Sequence, residues 1–93
     1  MVKDISDDGR ELLTFPVAYP IKVVGRRREG LRASIDAIVR THAPDLDDSQ
    51  VTERASNQQH FLSITYTINA QSREQVVALA TALQASPDVI MLI

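Results

Sequence analysis

The stretch FLSITYTINA, residues 61 to 70, constrains the fold more than any other. Leu62, Ile64, Tyr66 and Ile68 alternate with Ser63, Thr65 and Thr67. That period of two lets a strand bury one face and wet the other. A helix has no use for it, because its apolar positions recur every three to four residues. A strand of this kind needs neighbours on both edges and a cover for its apolar face.

The flanking segments supply both. In FPVAYPIKVVG, residues 15 to 25, Tyr19, Ile21 and Val23 alternate with Lys22 and Val24; Pro20 suggests the start of a strand and Gly25 its end. In EGLRASIDAIVRTHAP, Leu31, Ile35, Ile38, Val39 and His42 fall at helical spacing, which predicts a helix over about 29–42 stopped by Pro44. QVTERAS reads as a short strand. In SREQVVALATALQAS, Ser72 and Gln75 form a capping box, Glu74 suits the positive helix end, and Val76, Leu79, Ala80 and Leu83 make the buried stripe. Pro87 ends that helix, and VIMLI is a last strand with no polar residue.

The order strand, helix, strand, strand, helix, strand predicts an α+β fold, the ferredoxin-like βαββαβ sandwich. Right-handed crossovers put two helices on one face of a four-stranded antiparallel sheet. The covered face takes Tyr19, Ile21, Val23, Leu62, Ile64, Tyr66 and Ile68; the other shows Lys22, Ser63, Thr65 and Thr67. Residues 14–93 form one domain, and the charged residues 1–13 are expected to be a flexible tail.

Most functional classes find no support in the residues. The chain has no cysteine, so disulfides and thiolate chemistry are out. No apolar run nears the ~18 residues of a membrane span, and the polar start is unlike a signal peptide, so the expected address is cytoplasmic. His42 and His60 lie in different elements, which gives no metal site. DLDDS opens like a calcium loop, but Gln50 stands where the glycine is needed and Ser56 where the bidentate glutamate is needed. No serine sits in a Gly-x-Ser-x-Gly turn, and no phosphate loop or dinucleotide fingerprint appears, so no cofactor and no catalytic residue is assigned. An RNA-recognition module would need aromatics on the open sheet face, where only Phe61 has the right parity, and the net charge of −2 also argues against nucleic acid.

GRRREG remains. Gly25, Arg26, Arg27, Arg28 and Gly30 follow a strand and precede a helix, where backbone amides and arginines suit a small carboxylate or the acidic patch of a partner enzyme. The competing reading is a solvated loop that keeps the helix entrance soluble. VIMLI puts apolar residues on both faces, which predicts a homodimer, unless Ile5, Leu12 or Leu13 cover them. A non-enzymatic regulatory or interaction domain is expected; the alternatives are a small enzyme with a dispersed polar site and an RNA-binding module.

LLTFPVAYPIKVVG, VRTHAP, SITYTINAQSREQVVAL and VIMLI, in that order and spacing, resemble the YbeD-like family of small bacterial proteins of unknown function, over about residues 12–93. The family commonly has a Gly-Asn-Tyr-like turn where this chain reads Gln59, His60, Phe61. The resemblance implies a ferredoxin-like fold similar to the ACT-type domains that bind amino acids in metabolic enzymes, with a suggested link of some relatives to lipoate metabolism. REGLRASIDAIV also looks like the ACT pattern in which a glycine-leucine pair opens the first helix.

Overall fold

The structure, a computed structural model, describes residues 14–56 and 58–93. The elements are β1 (Val17–Arg26), α1 (Leu31–His42), a 3-10 turn (Asp48–Gln50), β2 (Val51–Ala55), β3 (Phe61–Ala70), α2 (Arg73–Gln84) and β4 (Val89–Leu92). They form a four-stranded antiparallel sheet in the order β2-β3-β1-β4. This is the expected βαββαβ sandwich. The flexible tail expected over residues 1–13 lies outside the described residues.

The alternation in β3 works as its spacing requires. Leu62, Ile64, Tyr66, Ile68 and Ala70 are buried, while Ser63, Thr65 and Thr67 are half-exposed. Across the sheet Ile21 pairs with Tyr66 and Val23 with Ile64, which puts both β1 residues in the same layer. Leu31, Ile35 and Val39 of α1 and Leu79 and Leu83 of α2 close the core from above. Fully burying each such side chain contributes on the order of 1.5–3 kcal/mol.

Two sequence expectations move. Strand β1 runs from Val17 to Arg26, so neither Pro20 nor Gly25 bounds it. Lys22 directs its N–H and C=O to Ile93, and Pro20 shares its parity, so the proline nitrogen faces a stretch that the β4 ladder does not reach. Gly25 pairs with both Leu62 and Val89 and is buried. It is a packing position inside the strand, not the start of a loop. Helix α1 begins at Leu31, two residues later than its spacing suggested, because Gly30 at φ 86° takes the left-handed conformation in front of it.

The capping box of α2 forms with a shifted return bond. Ser72 Oγ accepts from the Gln75 amide at 3.1 Å, but Gln75 Oε1 accepts from the Gln71 amide at 2.6 Å. The same glutamine donates to the His42 carbonyl at 2.8 Å and so joins the end of α1 to the start of α2. The acidic DLDDS stretch is local structure: Ser49 donates to Asp47 at 2.5 Å, and Arg40 pairs with Asp48 at 2.5 Å.

Candidate functional site

The β1–α1 connection turns the chain from the sheet onto its helical face. The Arg27 amide donates to the His60 carbonyl at 2.9 Å, continuing the β1–β3 ladder one residue past the strand. The Leu31 amide then donates to the Arg28 carbonyl and the Ser34 amide to the Gly30 carbonyl. Among the described residues the amides of Arg32 and Ala33 take no acceptor, so two donors at the positive end of α1 are open. With no Cβ, Gly30 makes this tight approach at little conformational cost.

Beside that helix end lies an open cleft of about 500 Å³ between α1 and the edge strand β2. Arg27, Arg28 and Gly30 border it at one end, and Arg32, Asp36 and Glu53 at the other. Three of the five residues expected from GRRREG thus meet in one place. Gly25 and Arg26 do not line it. Gly25 is enclosed by Leu31 and the Asp88 carbonyl, and Arg26 lies on the opposite face of the sheet, its guanidinium 5.6 Å from the centre of the Phe61 ring.

The arginines are not equivalent. Arg28 donates through Nη2 and Nε to one Asp88 oxygen at 2.6 and 3.1 Å, while the other oxygen accepts from Ser34 at 2.8 Å. Those bonds hold the Asp88 carboxyl below its usual range, Arg28 contributing most. Arg27 donates to the neutral amide oxygen of Gln59 at 2.6 Å and has no carboxylate partner among the described residues. Gln59 itself adopts φ 61°, the conformation that the glycine of the related turn would take without strain.

At the far end is a network that the sequence did not announce. Arg32 donates to Asp36 at 2.9 Å and also pairs with Glu53 on β2. Asp36 Oδ1 accepts in addition from the Tyr66 hydroxyl. Burial, and then the bond to Asp36, push the Tyr66 phenol well above its ordinary range. The i, i+4 spacing of Arg32 and Asp36 was visible as a helix pair. Glu53 and Tyr66 join it only because β2 and β3 lie under the helix. No group of three or more metal-ligating side chains occurs among the described residues, and no described helix is long and apolar enough to cross a membrane.

Comparison with known proteins places this geometry in a family. The described architecture is similar to the ACT domain from GTP pyrophosphokinase of Chlorobium tepidum, in solution (TM-score 0.63, 15% identity, 80% of each chain) and in the crystal (TM-score 0.62, 15% identity, 80% of this chain and 91% of that one). At that identity the likeness concerns the fold alone. In sequence the chain is 42% identical over 82 residues to a UPF0250 protein of Nitrosomonas europaea, covering 88% of this chain and 94% of the relative. It is 36% identical over 89 residues to a UPF0250 protein of Chromobacterium violaceum, covering 96% and 100%. The family model described as Protein of unknown function (DUF493) matches residues 10–93, and with those relatives it establishes that the chain belongs to this family of small bacterial proteins.

Proposed function

We propose that the chain is a non-enzymatic regulatory domain of the cytoplasm that binds a small carboxylate, an amino acid above all, in the cleft between the β1–α1 turn and β2. The observation that carries this reading is the division of charge along the cleft. Arg27, with no carboxylate partner among the described residues, and the open amides of Arg32 and Ala33 suit a carboxylate at one end. At the other, Asp36 and Glu53 share the single Arg32, and the one negative charge left over suits an ammonium. A zwitterion matches both ends, whereas a dianion meets two carboxylates. Gly25 packs beneath the turn, and Arg28 holds it in place through Asp88.

The test is a heteronuclear NMR titration with amino acids and lipoate-related acids. Saturable shifts over residues 27–33 are expected, and they disappear in Arg27→Gln while the melting temperature stays unchanged. Absence of such shifts with every compound would overturn the small-ligand reading.

A second reading has an observation of its own: the structural neighbours are one domain of a GTP pyrophosphokinase, which suits a module that works beside an enzyme. A partner enzyme docked on the same arginines would lose affinity stepwise as Arg26, Arg27 and Arg28 are replaced, not at Arg27 alone. In either reading the working form is a homodimer that uses β4, whose Ile90, Met91 and Ile93 edge is exposed.

A further inference from the structure

The sheet face turned away from the helices carries a charge pattern that the cleft does not use. By strand parity, β1, β2 and β3 present Lys22, Arg26 and Arg54 on it, with Thr52, Ser63, Thr65 and Thr67 and no carboxylate. This occurs in a chain of net charge −2. On the helical side Arg28, Arg32 and Arg40 all sit on carboxylates. Lys22 and Arg54, by contrast, make no ion pair or side-chain hydrogen bond among the described residues, and both are exposed.

Register brings these two cations together over β3. Lys22 lies opposite Thr65 from the β1 side, and Arg54 lies opposite Ser63 from the β2 side. Two strand spacings across and two residues along put their Cα atoms roughly 11–12 Å apart, within reach of two long side chains leaning toward each other. Two adjoining depressions of about 360 and 330 Å³ are both bordered by Lys22, Arg54 and Ser63. Thr52 and Thr65 bring hydroxyls to the first, and Phe61 brings an apolar edge to the second. Glu53 reaches the rim of the first, where its charge is matched by Arg32.

We propose that Lys22 and Arg54 hold the phosphate group of a small phosphorylated ligand, with the hydroxyls of Ser63 and Thr65 donating to its oxygens and Phe61 bordering its organic part. Two separate cations match the charge of a phosphate dianion, and donors from three strands suit its tetrahedral oxygens better than the flat pair of a carboxylate. The site lies on the other face of the sheet from the amino-acid cleft and does not depend on it.

The test is an NMR titration with inorganic phosphate, glycerol 3-phosphate and a short oligothymidylate, with ionic strength held constant by chloride. Saturable shifts at residues 22, 52, 54, 63 and 65 with either small probe are expected. The double variant Lys22→Gln, Arg54→Gln, both at exposed positions, should keep its melting temperature and weaken binding by about tenfold or more, the equivalent of one lost charge-assisted bond. Shifts that chloride reproduces, or that persist in the double variant, would overturn the proposal. Binding by the oligonucleotide alone would overturn it too, and would assign the face to a polymer. Shifts at residues 27–33 report on the cleft separately, so either site can fail without the other.

Discussion

A methyl group on Gly25 would stand 2.7 Å from the Asp88 carbonyl oxygen and 3.0 Å from a Leu31 methyl. The first neighbour is backbone and cannot step aside, so Gly25→Ala must push the start of β4 away from β1. A loss of about 1–3 kcal/mol is expected from such overpacking, read by chemical denaturation. Unchanged stability would mean that the Asp88 segment yields freely. Tyr66 makes a different case. Its ring is fully buried, yet its hydroxyl reaches Asp36 at the edge of the cleft. Tyr66→Phe keeps the packing and removes one hydrogen bond to a charged acceptor, which should cost about 1–2 kcal/mol. A cost near zero would show that Arg32 alone satisfies Asp36. Alternation placed Tyr66 on the core face, whereas Gly25 was expected to end β1 and instead lies inside it; the partners of both come from segments distant in sequence.

At the scale of elements, the β1–α1 turn is held by a residue far along the chain. Asp88 stands between α2 and β4 and binds both Arg28 and Ser34, so the start of α1 is tied to the start of β4. Its carboxyl is held below the usual range, so the stabilisation is complete at neutral pH and is lost as pH falls through the lowered value, below about pH 4. Asp88→Asn should therefore melt earlier than the wild type at pH 7, and the gap should close in acid. A gap that is constant with pH would assign the effect to packing. The start of α2 offers a local counterpart. Ser72→Ala removes the bond to the Gln75 amide and should cost about 1 kcal/mol, measured by thermal melting. That cap was legible from four adjacent residues. The bond from Gln75 to His42 was not, since it joins two helices 33 residues apart.

For the molecule as a whole, the contrast between the two sheet edges matters. Edge strand β2 carries Thr52, Glu53 and Arg54, charges that discourage pairing with another sheet. Edge strand β4 has no charged side chain, and its Ile90 and Met91, with Ile93 just after it, are 49%, 53% and 67% exposed. Association along β4 is expected at micromolar concentration, with a sedimentation coefficient that falls on dilution by about tenfold or more. The double variant Met91→Lys, Ile93→Lys should sediment as a monomer with its fold intact. A wild-type chain that is monomeric throughout would end this reading.

What the sequence determined by itself was everything set by periods and caps. The alternation of β3, the stripes of both helices, the Ser72 cap and the order of elements rest on contacts a few residues apart, and from them the sandwich and its core face follow. Only the tertiary structure decided which arginines have no carboxylate partner among the described residues. Arg26, Arg27 and Arg28 are neighbours in the chain, but a strand end and a turn send them to Phe61, Gln59 and Asp88 in turn. The same holds for Lys22 and Arg54, 32 positions apart, which share one face of β3 through register alone. Charge in a sequence is only a count; whether each charge is matched depends on which strands pair and in what register, and that is fixed by burial of the apolar residues between them.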